Sequence, residues 1–187
     1  MRIISGTAKG KKILLPIDKQ TRPLKDLTKE SIFNILEHSN LIEAKIKGAN
    51  ILDLFAGVGS FGLECLSRGA STVNFVENYN QVLPILRRNI NNLSFNKYSE
   101  ISEVNLFEEL PLNHFTKKID IIFMDPPYKE KRLTSLIEKI INLNFLKKKG
   151  ILIIHRHKKE NDIFPKNFKI LKKKSYGISQ IIFGSMS

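Results

Sequence analysis

Two stretches of this chain hold side chains that could do chemistry together. In the first, Asp53 precedes Gly57, Gly59 and Gly62 in the pattern G-x-G-x-x-G, with Glu77 roughly 20 residues beyond the first glycine. The second is Asp125-Pro126-Pro127-Tyr128, which closes the apolar run IDIIFM. A glycine loop between a strand and a helix lets a ligand approach the backbone, and an acidic residue at the end of the next strand suits ribose hydroxyls. On its own the pattern fits a dinucleotide site or a tight turn. Asp53, four residues before the first glycine, separates the possibilities. A carboxylate near the helix-dipole site is unfavourable for a pyrophosphate. It attracts the ammonium and sulfonium of S-adenosylmethionine, which carries no phosphate. The loop therefore favours S-adenosylmethionine over a nicotinamide cofactor. Asn105 is then either an acceptor and donor for the adenine edge or a residue that caps a strand end or sits in a turn.

The second stretch supplies a place for an amine. Proline fixes its own φ and restricts the residue before it, so two in succession preset the Asp125 carboxylate and the Pro126 carbonyl. Both are acceptors, and Tyr128 offers a ring on which a base can stack. The exocyclic amine of a nucleobase is a poor nucleophile because its lone pair is delocalised. Two N–H bonds to Asp125 and Pro126 would aim that lone pair at a methyl sulfonium. Asp125 would then stabilise the charge that grows on nitrogen. A proline-terminated strand with a tyrosine at its rim is the plain alternative, and the upstream glycine loop and Glu77 weigh against it.

These residues need strand ends to hold them. Buried runs at 50–55, 71–77, 101–106, 118–125 and 150–156 read as strands. Helices are expected over 24–36, from 60 to about 68, 80–93 and 130–142, with Pro84 near enough to a helix start to be tolerated. Strands that alternate with helices imply a parallel α/β sheet. NFKILKKKSYG and ISQIIFG predict an antiparallel hairpin at its edge, and residues 1–16 two short strands around a glycine-rich turn. The expected organisation is one domain over 1–187, with 1–23 set apart from a helix plus α/β core over 24–187.

Composition narrows the partners. The 187 residues are 42% hydrophobic and 26% charged, with no apolar run near the ~20 residues of a membrane span and no signal-peptide segment in MRIISGTAKGKK. A single cysteine, Cys65, excludes an internal disulfide and is expected to pack in its helix. The net charge of +13 lies at the two ends, since residues 1–30 hold 8 Lys/Arg against 3 Asp/Glu and residues 147–174 hold 11 against 2. Such flanks could grip polyphosphate, Lys9, Lys11 and Lys12 among them. Lysine supplies 24 of the 31 basic residues, however, and lysine runs are also plain solvated surface. His38, His114, His155 and His157 read as surface or edge residues, and no set of side chains is spaced for a metal.

The stretches RIISGTAKGKKILLP, TRPLKDLTKESIFNIL, ILDLFAGVGSFGLECLSRGA, FVEN, FMDPPY and SYGISQIIF resemble the RsmD family of bacterial 16S rRNA guanine-N2 methyltransferases over nearly the whole length. The resemblance implies a Rossmann-like class I S-adenosylmethionine-dependent methyltransferase: a mostly parallel seven-stranded sheet, an antiparallel C-terminal hairpin and a small N-terminal β-hairpin extension. It implies methylation of N2 of one guanine, of the 966 type, in 16S rRNA of the small ribosomal subunit. The enzyme would be a cytoplasmic monomer that needs neither metal nor membrane. Its cofactor contacts would be Asp53, Phe55, Ala56, Gly57, Gly59, Phe61, Gly62, Glu77, Asn78, Asn105, Leu106 and Asp125. Asp125, Pro126, Pro127 and Tyr128 would be catalytic, and Thr21, Arg22, Pro23, Asp26 and Tyr128 would meet RNA. The chain departs from the family at Leu24, usually threonine, and around Thr28 and Lys29, where an arginine is usual. It departs again at His155-Arg156-His157, where the fifth strand usually ends in an acid. Two other readings stay in view: methylation of an adenine N6 or a glutamine amide, and a non-catalytic RNA-binding assembly factor.

Overall fold

The computed structural model describes residues 1–16, 24, 26–108, 118–127 and 129–186. In chain order its elements are α1 (Asp26–His38), β1 (Asn50–Leu54), α2 (Ser60–Ser67), β2 (Thr72–Val76), α3 (Leu83–Asn92), a 3₁₀ turn (Asn96–Tyr98) and β3 (Ser99–Ser102). Then come β4 (Ile119–Met124), α4 (Leu133–Asn142), β5 (Leu146–His157), β6 (Phe168–Tyr176) and β7 (Ser179–Met186). The strands form one seven-stranded sheet in the order β3-β2-β1-β4-β5-β7-β6. β1 to β5 are parallel, and β7 runs antiparallel to both β5 and β6. This is the mostly parallel Rossmann-like sheet with an antiparallel C-terminal hairpin that the sequence predicts. The order reverses between β1 and β4, and ligands of such sheets sit outside the strand ends at that switch.

Strand alternation sorts the apolar residues into two layers. Ile51, Val73, Phe75, Ile121, Phe123, Ile151 and Ile153 face α1, α2 and α3. Leu52, Leu54, Val76, Ile122, Met124, Leu152 and Ile154 face α4, whose Leu133, Leu136, Ile137 and Ile140 fall at helical spacing. In the first layer Phe61 lies stacked between Phe33 and Phe123, with ring centroids 5.3 and 4.1 Å away.

Two strand boundaries differ from the sequence expectation by four residues. β3 is over by Ser102 rather than reaching Leu106, because its one neighbour, β2, runs out at the Val76–Ser102 pair and offers no ladder beyond. β5 starts at Leu146 instead of Gly150, and the exposed Lys147, Lys148 and Lys149 fall in a register shift between the Ile119–Leu146 and Ile121–Ile151 pairs.

Residues 1–16 form a narrow loop rather than two regular strands, with a lone bridge between Arg2 and Lys12. Side chains of the helices hold it. Glu64 accepts the N–H groups of Ile4 and Ser5 at 2.8 and 2.9 Å, and Ser67 Oγ accepts that of Ala8 at 2.9 Å. Lys29 Nζ donates to the Arg2 carbonyl at 2.8 Å, and Asn89 bonds both backbone groups of Leu14. A Cβ at Gly6 would stand 1.8 Å from the Ser67 carbonyl oxygen, so only glycine lets the loop settle there. No helix among the described residues is long and apolar enough to cross a membrane.

Candidate active site

Odd-numbered positions at the C-terminal ends of β1, β2, β4 and β5 point to the same face of the sheet, and there they are Asp53, Glu77, Asp125 and His155. Asp53 is buried, and its Oδ2 accepts the Gly62 N–H at 2.9 Å. That N–H belongs to the first turn of α2, where backbone donors have no helical partner. Burial pushes the Asp53 carboxyl well above the usual carboxylate range; the Gly62 N–H opposes this, while the charges of Asp125 and Glu77 add to it. Glu77 Oε2 accepts the Gly57 N–H at 2.8 Å, and its Oε1 accepts those of Asn78 and Tyr79, each at 2.8 Å. A carboxylate offers about four lone-pair sites, so Glu77 holds the glycine loop and keeps little capacity beyond that.

Phe55, Gly57 and Gly59 have φ of 59°, 54° and 81°, so the chain between β1 and α2 turns through left-handed conformations. For Phe55 this is a strained state, of the kind that collects at ligand-binding sites. Gly62 serves packing instead, since a Cβ there would lie 2.4 Å from the Phe75 ring and its absence lets α2 sit directly on β2.

Several of the expected cofactor contacts have other partners in the structure. Phe61 is in the core between two phenylalanines, and the Gly62 N–H is committed to Asp53. The Phe61 ring thus packs inward with the first turn of α2. Asn105 lies beyond the end of β3, where its Oδ1 accepts the Phe107 N–H at 3.1 Å and its Nδ2 donates to Glu108 at 2.8 Å. Its side chain caps a turn. The Leu106 side chain is buried in the α4 layer. Ala56 is half-buried and Asn78 exposed at the mouth of the glycine loop.

Asp125 follows β4 directly, with its N–H on the Leu54 carbonyl at 3.3 Å and a half-buried side chain. Pro126 is buried and Pro127 exposed. Tyr128, Thr21, Arg22 and Pro23 lie outside the described residues, as does His114. Asp26 is exposed at the start of α1, 3.9 Å from the buried Lys29 ammonium. Lys9, Lys11 and Lys12 are exposed on the N-terminal loop. The turn around Lys9 docks on Ser67 at the far end of α2, about 12 Å of helix from the glycine loop. The structure therefore does not gather Lys9 at the cleft.

Two residues to which the sequence reading gave no role in the site are built into it. His155 is not at the surface: its side chain is 7% exposed, with Nδ1 2.8 Å from Asp125 Oδ1. Arg156, 1% exposed, points to the opposite face. It makes a bidentate pair with Asp162 at 2.8 and 2.9 Å and donates to the carbonyls of Pro127 and Glu130 at 3.2 and 3.0 Å. The signal was present in the alternation of β5, since 151, 153 and 155 share a face with 121, 123 and 125 once β5 is known to lie beside β4. Among the described residues, no cluster of His, Cys, Asp or Glu could hold a metal ion.

Three acidic side chains gathered at neighbouring strand ends suit a cationic ligand better than a pyrophosphate, so the residues present fit S-adenosylmethionine. The comparisons agree. Residues 1–185 match the family described as Conserved hypothetical protein 95. Ribosomal RNA small subunit methyltransferase D of Buchnera aphidicola from Acyrthosiphon pisum is 34% identical over 92% of this chain and 86% of its own length. The Haemophilus influenzae protein of the same name is 33% identical over 95% and 90%. A solved Escherichia coli structure, yhhF, described as a candidate methyltransferase, superposes with a TM-score of 0.80 at 25% identity, covering 100% of this chain and 97% of its own.

Proposed function

Given that the chain belongs to the RsmD family of S-adenosylmethionine-dependent methyltransferases, we propose that it methylates 16S rRNA of the small ribosomal subunit, at the exocyclic N2 of one guanine. The observation that carries this reading is the placement of Asp125 on the same face and edge as Asp53 and Glu77. An amine acceptor thus stands beside a cleft suited to a cationic methyl donor. S-adenosylmethionine supplies a methyl group on a sulfonium, whose positive charge disappears on transfer. In our reading Asp53 attracts the donor's positive charge, and the Glu77-clamped glycine loop shapes the nucleoside end. Asp125 and the Pro126 carbonyl accept the two N–H groups of the guanine amine, leaving its lone pair directed at the methyl carbon. As the C–N bond forms, the S–CH3 bond would break and the sulfur leave as a neutral thioether. Asp125 would stabilise the charge on nitrogen and then accept its proton, in a site preorganised before the substrate arrives. Tyr128 stacks on the base.

The charged flank fits a polynucleotide. Between α1 and β6 runs a groove of about 550 Å³, lined by Ser31, Asn34, His38, Lys172, Lys174 and Tyr176 among others. Lys174 and His155 share Ile181 as ladder partner, so the groove is level with the strand end that carries His155. A phosphate backbone lying there would bring a base towards Asp125.

The test is methyl transfer from labelled S-adenosylmethionine to unmethylated small subunits and, separately, to naked 16S rRNA, followed by digestion to nucleosides. N2-methylguanosine is the expected product. A methylated adenosine would move the specificity and keep the chemistry. No transfer to either substrate would overturn the reading.

A further inference from the structure

We infer that His155 is a positioning residue for the methyl transfer: through its Nδ1–H it holds one oxygen of Asp125, so that the other oxygen faces the amine. The inference rests on the role proposed for Asp125. Its geometry stands independently. Met124 pairs with Ile154 across β4 and β5, so the next step along both strands sets Asp125 beside His155. The contact is 2.8 Å between Nδ1 and Oδ1. An ionised carboxylate only accepts hydrogen bonds, so facing it Nδ1 must carry the proton. The bond to an oriented, nearly buried imidazole fixes the carboxylate's rotation about its Cβ–Cγ axis, which the neighbouring prolines do not. Proline restrains the backbone of Asp125 and leaves that last torsion broad.

Arg156 completes the hold from the other face. Its guanidinium ties the Pro127 and Glu130 carbonyls to Asp162, so consecutive residues of β5 fix the carboxylate and the loop that bears it. The role also explains why a histidine at this strand end is buried rather than solvated. An acidic side chain in its place would set two like charges in contact with each other, and a histidine supplies a donor there.

The experiment is a kinetic series on the full chain with small subunits as substrate. His155→Leu keeps bulk and removes the donor, whereas His155→Asn keeps an N–H near the position of Nδ1. In the leucine variant kcat should fall about 10- to 100-fold, the loss of one hydrogen bond to a charged group. KM for both substrates should stay within about threefold, and His155→Asn should recover most of the loss. A structural role would lower melting temperature and raise KM without rescue by asparagine. In the wild type, ¹⁵N NMR should show Nδ1 of His155 as the protonated nitrogen. An unprotonated Nδ1 or an unaltered kcat in His155→Leu would overturn the inference. Asp125→Asn tells the two readings apart: full turnover there removes the role of Asp125 itself. A slow Asp125→Asn beside a normal His155→Leu removes only that of His155.

Discussion

Changing Asp53 to Asn preserves the shape of the side chain and an oxygen for the Gly62 N–H while removing the charge. Because burial raises the Asp53 pKa in the folded protein, its stabilising contribution is present below the unfolded value of about 3.9 and is lost as pH rises through the folded value. Each unit of that rise corresponds to about 1.36 kcal/mol at high pH. For a chain of this size this is a shift of about 3–5 °C in melting temperature. The Asp53→Asn protein, free of ligand, should therefore melt near the wild type at pH 4 and progressively above it towards pH 8. Affinity for S-adenosylmethionine should move the other way. A bound cation selects the carboxylate, so wild-type affinity should rise with pH over the same window, with release of a proton on binding. The asparagine variant should bind about 10- to 100-fold more weakly at pH 8, the ~1.5–3 kcal/mol of a charge-assisted contact. Its binding should also be insensitive to pH. Thermal melts across pH and titration calorimetry in buffers of different ionisation enthalpy measure both. A melting difference that does not change with pH, or equal affinity at pH 8, would refute the assignment of Asp53 as the buried charge that meets the cofactor.

Glu77→Ala removes the acceptor for the N–H groups of Gly57, Asn78 and Tyr79, so calorimetry should show cofactor affinity lowered at least 10-fold. Arg156→Met leaves Asp162 and two carbonyls without their partner, and denaturant unfolding should show a loss of about 3–5 kcal/mol. Replacing Lys172 and Lys174 by Glu should weaken binding of 16S rRNA and flatten its dependence on log salt by about one per lysine removed, as read from filter binding over a salt series. An unchanged slope would take the α1–β6 groove out of the RNA path.

Buried apolar runs alternating with helical stretches made the sheet legible, and G-x-G-x-x-G and Asp-Pro-Pro-Tyr marked two of its strand ends. The sequence could not say where a strand stops for want of a partner. β3 is short because β2 is short, and Asn105 therefore falls in a turn that its own side chain closes. Nor could the glycine motif show that the Phe61 ring packs in the core and that the Gly62 N–H meets Asp53. The motif spans a helix turn, and only its first part faces outward. His155 reads as a surface or edge residue from the sequence because its significance depends on strand order: β5 lies beside β4, which no local pattern in either strand encodes. The RIISG stretch was legible as a unit, but what fixes it was not, since Lys29, Glu64, Ser67 and Asn89 come from three different helices.

Those residues share a physical reason with the ones around the cleft. Backbone outside helices and strands has no ladder to satisfy its N–H and C=O groups, so buried stretches of it need side-chain partners. Here the partners are often charged: Glu64 for Ile4 and Ser5, Lys29 for Arg2, Glu77 for the glycine loop, and Arg156 for the loop after β4. Burying such charges is costly, as the lowered Lys29 pKa records, with desolvation outweighing the attraction of Glu64 and Asp26. An apolar pair of equal volume would often be as stable or more so by about 1–4 kcal/mol. It would not bind a carbonyl or an N–H at a set distance. Stability alone would therefore not select these ions; fixing irregular backbone does. Where that backbone borders the Asp53–Glu77–Asp125 cleft, fixing it means holding the groups that must meet the methyl donor and the base in one geometry, since a displacement of about 1 Å can cost on the order of 100-fold in rate.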